Sequence, residues 1–521
     1  MTRRNTAVPE TPWWRTAAIY EIYVRSFADG NGDGIGDLAG LRERLPYLRD
    51  LGVDALWLTP FFRSPMVDGG YDVADYRDVD PTLGTLADFD AMLARAHEFG
   101  LRVIIDVVPN HTSSQHPWFA EALQALPGSP ARARYHFHPA TTDSNPPNDW
   151  ESVFGGSAWT QVPDGEWYLH LFDPAQPDLN WDNADVRSEF EGVLRFWLDR
   201  GVDGFRIDVA HGMAKRAGYP PVGRSGQIGL LGKAELPYFD QDGVHEIHRA
   251  WRKILDSYPG QRMAVAEAWA STPQRLARYV APDELHQAFN FDFLSAPWDD
   301  PAEVRRIIDA CVHAADSVGA PTTWVLANHD VQRHVTRLGS PQRAFAAALL
   351  MLALPGSAYL YQGEELGLPE VLDLPPEARQ DPVWFRSGGT DPGRDGCRVP
   401  LPWEAAAPAH GFSATGASWL PQPAWAALAA DTQAGDPAST LELYREALRL
   451  RRGFTGPLRW NDSPAGVLDL TRDGVRCVVN LSGGAVPLPD GDVVLASGPV
   501  DGDVLPDNTA VWIFARGNEL S

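Results

Sequence analysis

A (β/α)₈ barrel with an inserted subdomain after its third strand and a C-terminal antiparallel β domain is the fold class the sequence predicts. Three observations predict it. Strand-like apolar runs alternate with amphipathic stretches eight times along the chain. The alternation is interrupted over 112–183, which is rich in Pro, Gly, Asn, Asp and aromatics and too long for a plain βα connection. From about residue 456 the pattern changes to short strands and turns. A length of 521 residues at about 150 per domain suggests three to four domains. One barrel, 1–111 with 184–455, an insertion at 112–183 and a tail at 456–521 meet that figure.

The first three strands read as 17–27, 54–60 and 102–109, with helices at 38–50 and 85–100, each ending near a glycine. Later strands read as 204–209, 262–269, 288–293, 323–328 and 357–361. Helical stretches at 185–200, 244–258, 301–318 and 341–354 separate many of them. A second irregular, proline-rich stretch, 364–437, follows the eighth strand. No internal repeat is visible.

Composition narrows the function. Hydrophobic residues at 44% and charged residues at 22% describe an ordinary globular chain. Forty-four Lys and Arg against 69 Asp and Glu leave a net charge of −25, which disfavours nucleic-acid backbones and anionic membranes. No apolar run reaches the length of a membrane span. Residues 1–10 are basic at first but have no apolar stretch behind them, so no signal peptide is expected. Cys311, Cys397 and Cys477 are widely spaced and odd in number, which predicts a reducing compartment, by default the cytoplasm, without a disulfide framework.

In a barrel, chemistry gathers where strands end at their carboxyl side. The fourth strand reads Gly204-Phe-Arg-Ile-Asp-Val209. Period two places Arg206 and Asp208 on the barrel axis and Phe205, Ile207 and Val209 toward the helices. An Arg beside an Asp favours the ionised carboxylate, which can act as a nucleophile; a structural ion pair is the alternative. Glu267 ends the fifth strand in an apolar run, and burial there would suit a general acid. The third strand ends Asp106-Val-Val-Pro-Asn-His111, and the seventh ends Asn328-His-Asp330. Carboxylates crowded on one rim are what glycosidic cleavage requires, one as acid and one as nucleophile or base.

These segments, together with Gln176-Pro-Asp-Leu-Asn-Trp181 and Gly52-Val-Asp-Ala-Leu-Trp-Leu-Thr-Pro60, resemble the α-amylase family, glycoside hydrolase family 13. The resemblance is to its α-glucosidase and oligo-1,6-glucosidase branch. It implies Asp208 as the nucleophile, Glu267 as the acid and base, and Asp330 as the third carboxylate. The acid and nucleophile of a retaining pair lie about 5–5.5 Å apart. It further implies that His111, His329 and Arg206 contact the glucose at the cleavage point, that Tyr71 stacks on its ring, and that Phe154 and Phe172 wall the site. The exo-acting branch closes its pocket with an Asp–Arg pair, to which Asp68 and Arg398 correspond.

Asp29-Gly-Asn-Gly-Asp-Gly-Ile-Gly-Asp37 sets Asp29, Asn31 and Asp33 at the spacing of the first half of an EF-hand loop, but position twelve is Gly40. The resemblance implies structural calcium here, with the Ile35 carbonyl and Asp37 completing the set. An unoccupied Asp/Gly turn is the alternative, and no organic cofactor is implied.

Linkage specificity divides the expectations. Val209, directly after the nucleophile, resembles enzymes of α-1,6 bonds, whereas Val209-Ala-His211 resembles actinobacterial α-glucosidases that cleave maltose. The expectation is a retaining, exo-acting α-glucosidase on short α-1,4-glucosides such as maltose. An oligo-1,6-glucosidase, or a transglucosylase or isomerase using maltose or sucrose, is the alternative. A trehalose-phosphate hydrolase would need a cationic cradle that the sequence does not display. Other motifs fail: Gly232-Lys233 lacks the flanking residues of a phosphate loop, and no G-x-S-x-G occurs. His245-Glu-Ile-His248 spaces its histidines three apart, not four, and reads as a helix surface.

Overall fold

A computed structural model describes residues 11–139, 145–500 and 502–514. Residues 1–10, to which the leader reading applies, lie outside that set. Eight parallel strands form the central sheet: β1 (Ala18–Ile22), β2 (Ala55–Leu58), β3 (Arg102–Val107), β4 (Gly204–Ile207), β5 (Met263–Ala266), β6 (Gln287–Ala288), β7 (Thr323–Val325) and β8 (Ser357–Tyr361). Neighbours pair in sequence from β1 to β6, and β8 pairs with both β1 and β7. The Asn290 N–H donates to the Thr323 carbonyl at 3.1 Å and joins the two ends into a barrel.

The helices that follow the strands are α1 (Leu38–Leu51), α2 (Leu86–Glu98), α3 (Ala184–Arg200), α4 (Val244–Asp256), α5 (Pro273–Arg278), α6 (Pro301–Ser317), α7 (Pro341–Ala353) and α8 (Thr440–Arg451). Their starts are chemically marked. Asp37 caps α1 by accepting the Gly40 N–H at 2.7 Å, and Thr85 with Asp88 forms a capping box on α2. Among the described residues no helix is long and apolar enough to cross a membrane.

Period two divides the strand residues between two cores. Ile19, Trp57, Ile104, Met263, Val265, Val325 and Tyr359 fill the barrel interior. Tyr20, Leu58, Ile105, Phe205 and Ile207 meet the helices. Each large aliphatic side chain so buried contributes about 1.5–3 kcal/mol. Gly204 carries no side chain where a Cβ would lie 2.5 Å from the Met263 carbonyl.

The sixth strand is shorter than its sequence predicts. Only Gln287 and Ala288 pair, and Phe291–Leu294 turns into a short helix. Its aromatics then serve different neighbours: Phe291 stacks on Trp269, and Phe293 packs edge-on against Trp324.

Between β3 and α3 the chain forms a helix, Pro117–Gln124, and a three-stranded antiparallel sheet of Phe137–His138, Trp167–Leu169 and Trp159–Gln161. At the C-terminal end, β9 (Arg459–Trp460), β10 (Val467–Arg472), β11 (Val475–Asn480), β12 (Asp492–Ala496) and β13 (Thr509–Phe514) form an antiparallel sheet. It packs on α7, where the Trp512 indole N–H donates to the Leu349 carbonyl at 3.2 Å. Cys311, Cys397 and Cys477 are all free and buried.

Candidate active site

The carboxyl ends of the strands surround a cavity of about 430 Å³. Its charged lining consists of Asp68, Asp208, Glu267, Asp330, Asp391 and Arg394, together with the imidazoles of His111 and His211. Asp208 stands one residue beyond β4 and Glu267 one beyond β5, while Asp330 follows β7. Asp208 and Glu267 lie at the last ladder bonds, to the Val107 and Ile207 carbonyls, where a side chain can face the cavity while its backbone stays anchored.

One guanidinium organises this rim. Arg206, in β4, donates through Nη1 to Asp106 at 2.9 Å and Asp208 at 2.6 Å. Its Nη2 pairs with Glu267 at 2.7 Å. The Arg206 side chain is 2% exposed, so these contacts are scarcely screened. One cation cannot neutralise three carboxylates. Burial lifts Asp208 well above the usual carboxylate range, with Arg206 pulling against it and Glu267 and Asp106 pushing with it. Asp106 rises to about 6 through burial, although Arg206 and the Tyr71 hydroxyl hold its oxygens. The sequence reading of an Arg206-held, ionised Asp208 therefore omitted burial and the crowding of acids.

Two further expectations about this rim change. Glu267 sits in a polar setting: besides Arg206, its Oε2 accepts the Val209 N–H at 3.0 Å. Val209 does not face the helices, because β4 ends at Ile207 and the alternation ends with it. It adopts φ +44°, a strained value for a β-branched residue, and lines the cavity. That turn aims the Val209 N–H at Glu267.

Asp330 differs from Asp208 in its partners. Burial would raise it, but His329, Arg394 and Arg398 together hold it below its ordinary range. Arg394 reaches Asp330 at 2.9 Å and Arg398 reaches it at 3.0 Å. Behind it, the buried Glu21 of β1 accepts from Nδ1 of His329. The His329 ring stacks on Tyr71 at 5.1 Å, and Tyr71 donates to Asp106 at 2.9 Å.

The Asp–Arg pair at the end of the pocket involves a different arginine from the one assigned. Asp68 pairs with Arg394 at 2.6 Å, and Arg394 is itself held by Asp381 at 2.7 Å. Arg398 is buried beside Tyr23, donates to the His329 carbonyl and does not line the cavity. The two arginines lie four residues apart in one irregular loop, and spacing alone cannot choose between them. Gln176 went unassigned although its motif was read; its Nε2 contacts Asp68 at 3.1 Å and His111 at 3.1 Å. Burial pushes His111 down to about 4. Phe154 and Phe172 meet edge-on at 5.5 Å on the insertion side of the cavity.

The 29–37 loop is built on its own N–H groups. Asp29 accepts from Asn31, Gly32 and Gly34, Asn31 from Asp33, and Asp33 from Ile35. Asp37 is raised by burial, with the charge of Asp29 adding to the effect. An all-oxygen set with two mutually repelling carboxylates suits a hard cation in its chemistry. His245 and His248, expected on a helix surface, are buried with Glu284, and His245 Nδ1 lies 2.8 Å from that carboxylate.

With this geometry in view, residues 21–455 match the family model for the α-amylase catalytic domain. The chain belongs to the α-amylase family. It is 39% identical over 505 residues to a probable α-glucosidase of Rhizobium meliloti (strain 1021), covering 91% of this chain and 90% of that one. It is 37% identical over 480 residues to an oligo-1,6-glucosidase of Parageobacillus thermoglucosidasius, covering 85% and 84%. Among solved structures, the α-glucosyl transfer enzyme XgtA superposes with a TM-score of 0.87 at 38% identity, covering 97% of this chain and all of that one. As a family member the chain is a glycoside hydrolase.

Proposed function

We propose that the protein is a retaining, exo-acting α-glucosidase that releases α-glucose from the non-reducing end of short α-glucosides such as maltose. The observation that carries this reading is the Asp381–Arg394–Asp68 chain of ion pairs beside the catalytic carboxylates, which favours a pocket for one terminal sugar over an open cleft. Ionised Asp208 attacks the anomeric carbon while protonated Glu267 gives its proton to the glycosidic oxygen. The C–O bond breaks, and the sugar stays as an ester on Asp208. Glu267, now a carboxylate, takes a proton from water, which attacks the same carbon and frees Asp208. Asp330, kept ionised by its arginines, stabilises the positive charge that develops on the ring. The Val209 N–H keeps Glu267 oriented through both steps. Asp29, Asn31, Asp33, the Ile35 carbonyl and Asp37 would hold calcium, which would brace the loop ahead of α1 and take no part in the chemistry.

One feature favours transfer as a second reading. An adjoining cavity of about 340 Å³, lined by Ile228, Leu231, Trp269 and Phe291, shares its first three residues with the catalytic cavity. Such an apolar wall would favour an organic acceptor over water. Glucose release from maltose, isomaltose, sucrose and trehalose, with products resolved by chromatography, tests both readings. Maltose leading with glucose as product supports the first. Isomaltose leading restores the significance of Val209, new glucosides or sucrose isomers support transfer, and no cleavage overturns the proposal.

A further inference from the structure

A third cavity, about 830 Å³, lies at the opposite end of the barrel, where β1, β2, β3 and β8 begin. Among the described residues five arginines line it, Arg49, Arg102, Arg451, Arg452 and Arg472, against one acid, Asp54. In a chain with a net charge of −25, this is a local reversal of sign. Three of the five have carboxylate partners: Arg49 with Asp50 at 2.7 Å, Arg102 with Asp203 at 3.3 Å, and Arg452 with Asp54 at 3.2 Å.

Among the described residues Arg451 and Arg472 form no such ion pair, and Asp54 and Asp473 act on them only through longer-range charge. The two arginines are 9% and 7% exposed, and their hydrogen bonds go to backbone carbonyls. Arg451 donates to Thr16 and Gly356, and Arg472 to Gly456 and Ala353. Each guanidinium has five N–H donors, so more than half remain after these bonds. The Nε of Arg451 is buried without a partner. Burial pushes both groups down to about 10, although the charge of Asp54 acts the other way on Arg451 and that of Asp473 on Arg472. A buried cation without a direct ion pair is costly, and a roomy polar cavity against it offers a place for an anion.

We propose that this cavity binds a small multivalent oxyanion, phosphate or a phosphate ester, with Arg451 and Arg472 as its buried anchors and Arg49, Arg102 and Arg452 at the rim. Guanidinium forks match the paired oxygens of a phosphoryl group. Two buried cations without direct ion pairs suit a multivalent ligand, and the volume leaves space for an organic body beside the aromatic wall of Trp13, Phe99 and Phe454. The occupant would bridge the starts of β1 and β8 to the C-terminal sheet, and so stabilise the fold without touching the sugar cavity.

Pyrophosphate, inorganic phosphate and glucose 1-phosphate are the probes, titrated by calorimetry and thermal shift at constant ionic strength, with 1-deoxynojirimycin filling the sugar cavity. One equivalent of pyrophosphate should bind and raise Tm by several degrees. Arg49→Gln with Arg452→Gln, at side chains 46% and 65% exposed, should weaken binding at least tenfold and leave maltose kinetics unchanged. Hydrogen exchange of wild-type protein should show protection at 16–18 and 451–456. A Tm shift no larger than that of sodium chloride at equal ionic strength, equal binding by the double variant, or displacement by the sugar inhibitor overturns the proposal. Tighter binding of glucose 1-phosphate than of inorganic phosphate identifies an ester as the ligand; the reverse order identifies the free anion.

Discussion

At the carboxyl ends of the barrel strands one buried guanidinium, Arg206, serves three carboxylates, whereas at the amino ends, among the described residues, Arg451 and Arg472 hydrogen-bond to backbone carbonyls alone. The same barrel thus buries surplus negative charge at one end and surplus positive charge at the other. Neither surplus is explained by stability, because an unpaired buried charge costs free energy. On the proposed mechanism, the surplus at the carboxyl end matches the positive charge of an oxocarbenium-like transition state. The comparison suggests that uncompensated buried charge marks where a ligand supplies the missing partner.

The largest effects should come from breaking the catalytic end. Asp208→Ala should abolish the covalent ester and lower kcat by several orders of magnitude. Glu267→Gln should lower it by about 10²–10⁴-fold. Both should leave circular dichroism unchanged, and more than a tenth of wild-type turnover in either would contradict the assigned roles.

Arg206→Met removes the one cation shared by Asp106, Asp208 and Glu267. It should destabilise the fold by roughly 3–5 kcal/mol at neutral pH, read from urea unfolding, and by less at pH 5, where the orphaned acids can protonate. An equal loss at both pH values would show that lost packing, not charge, is responsible.

Arg394→Ala should raise KM for maltose at least tenfold and affect kcat less, because Arg394 holds Asp68 and Asp330 rather than the bond being broken. The same kinetics with Arg398→Ala, and none of the effect with Arg394→Ala, would reverse the assignment of the pair.

The smallest effect is a displaced pH limb. Asp208 reacts only when ionised, and burial raises it, so kcat/KM should fall as pH drops through a value above the ordinary carboxylate range. An acid limb near 4 in the kcat/KM profile would show that Arg206 outweighs burial.

Much of the site could be read from residues that stand alone in their settings. Asp208, Glu267 and Asp330 are acids at the ends of apolar strands, and such strands alternate with helices in a recognisable period. His111 and His329 also stand beside strand ends, but it was the family resemblance that implied their contacts with the sugar. Gln176 lay in a motif already noted, but an amide gives no sign of its partners until the insertion folds over the rim.

The succession of strands and helices, the inward face of Arg206 on β4 and the carboxylate rim were determined by the sequence itself, because periodicity is local and each residue contributes to it independently. Only the tertiary structure decided that Arg394 rather than Arg398 meets Asp68, that Val209 turns into the cavity, and that Glu267 has polar company. It also buried His245 and His248 and gathered five arginines from distant segments around one cavity. These outcomes depend on loop paths and on which charges share a desolvated space. Both are properties of many segments at once, and no window of sequence contains them.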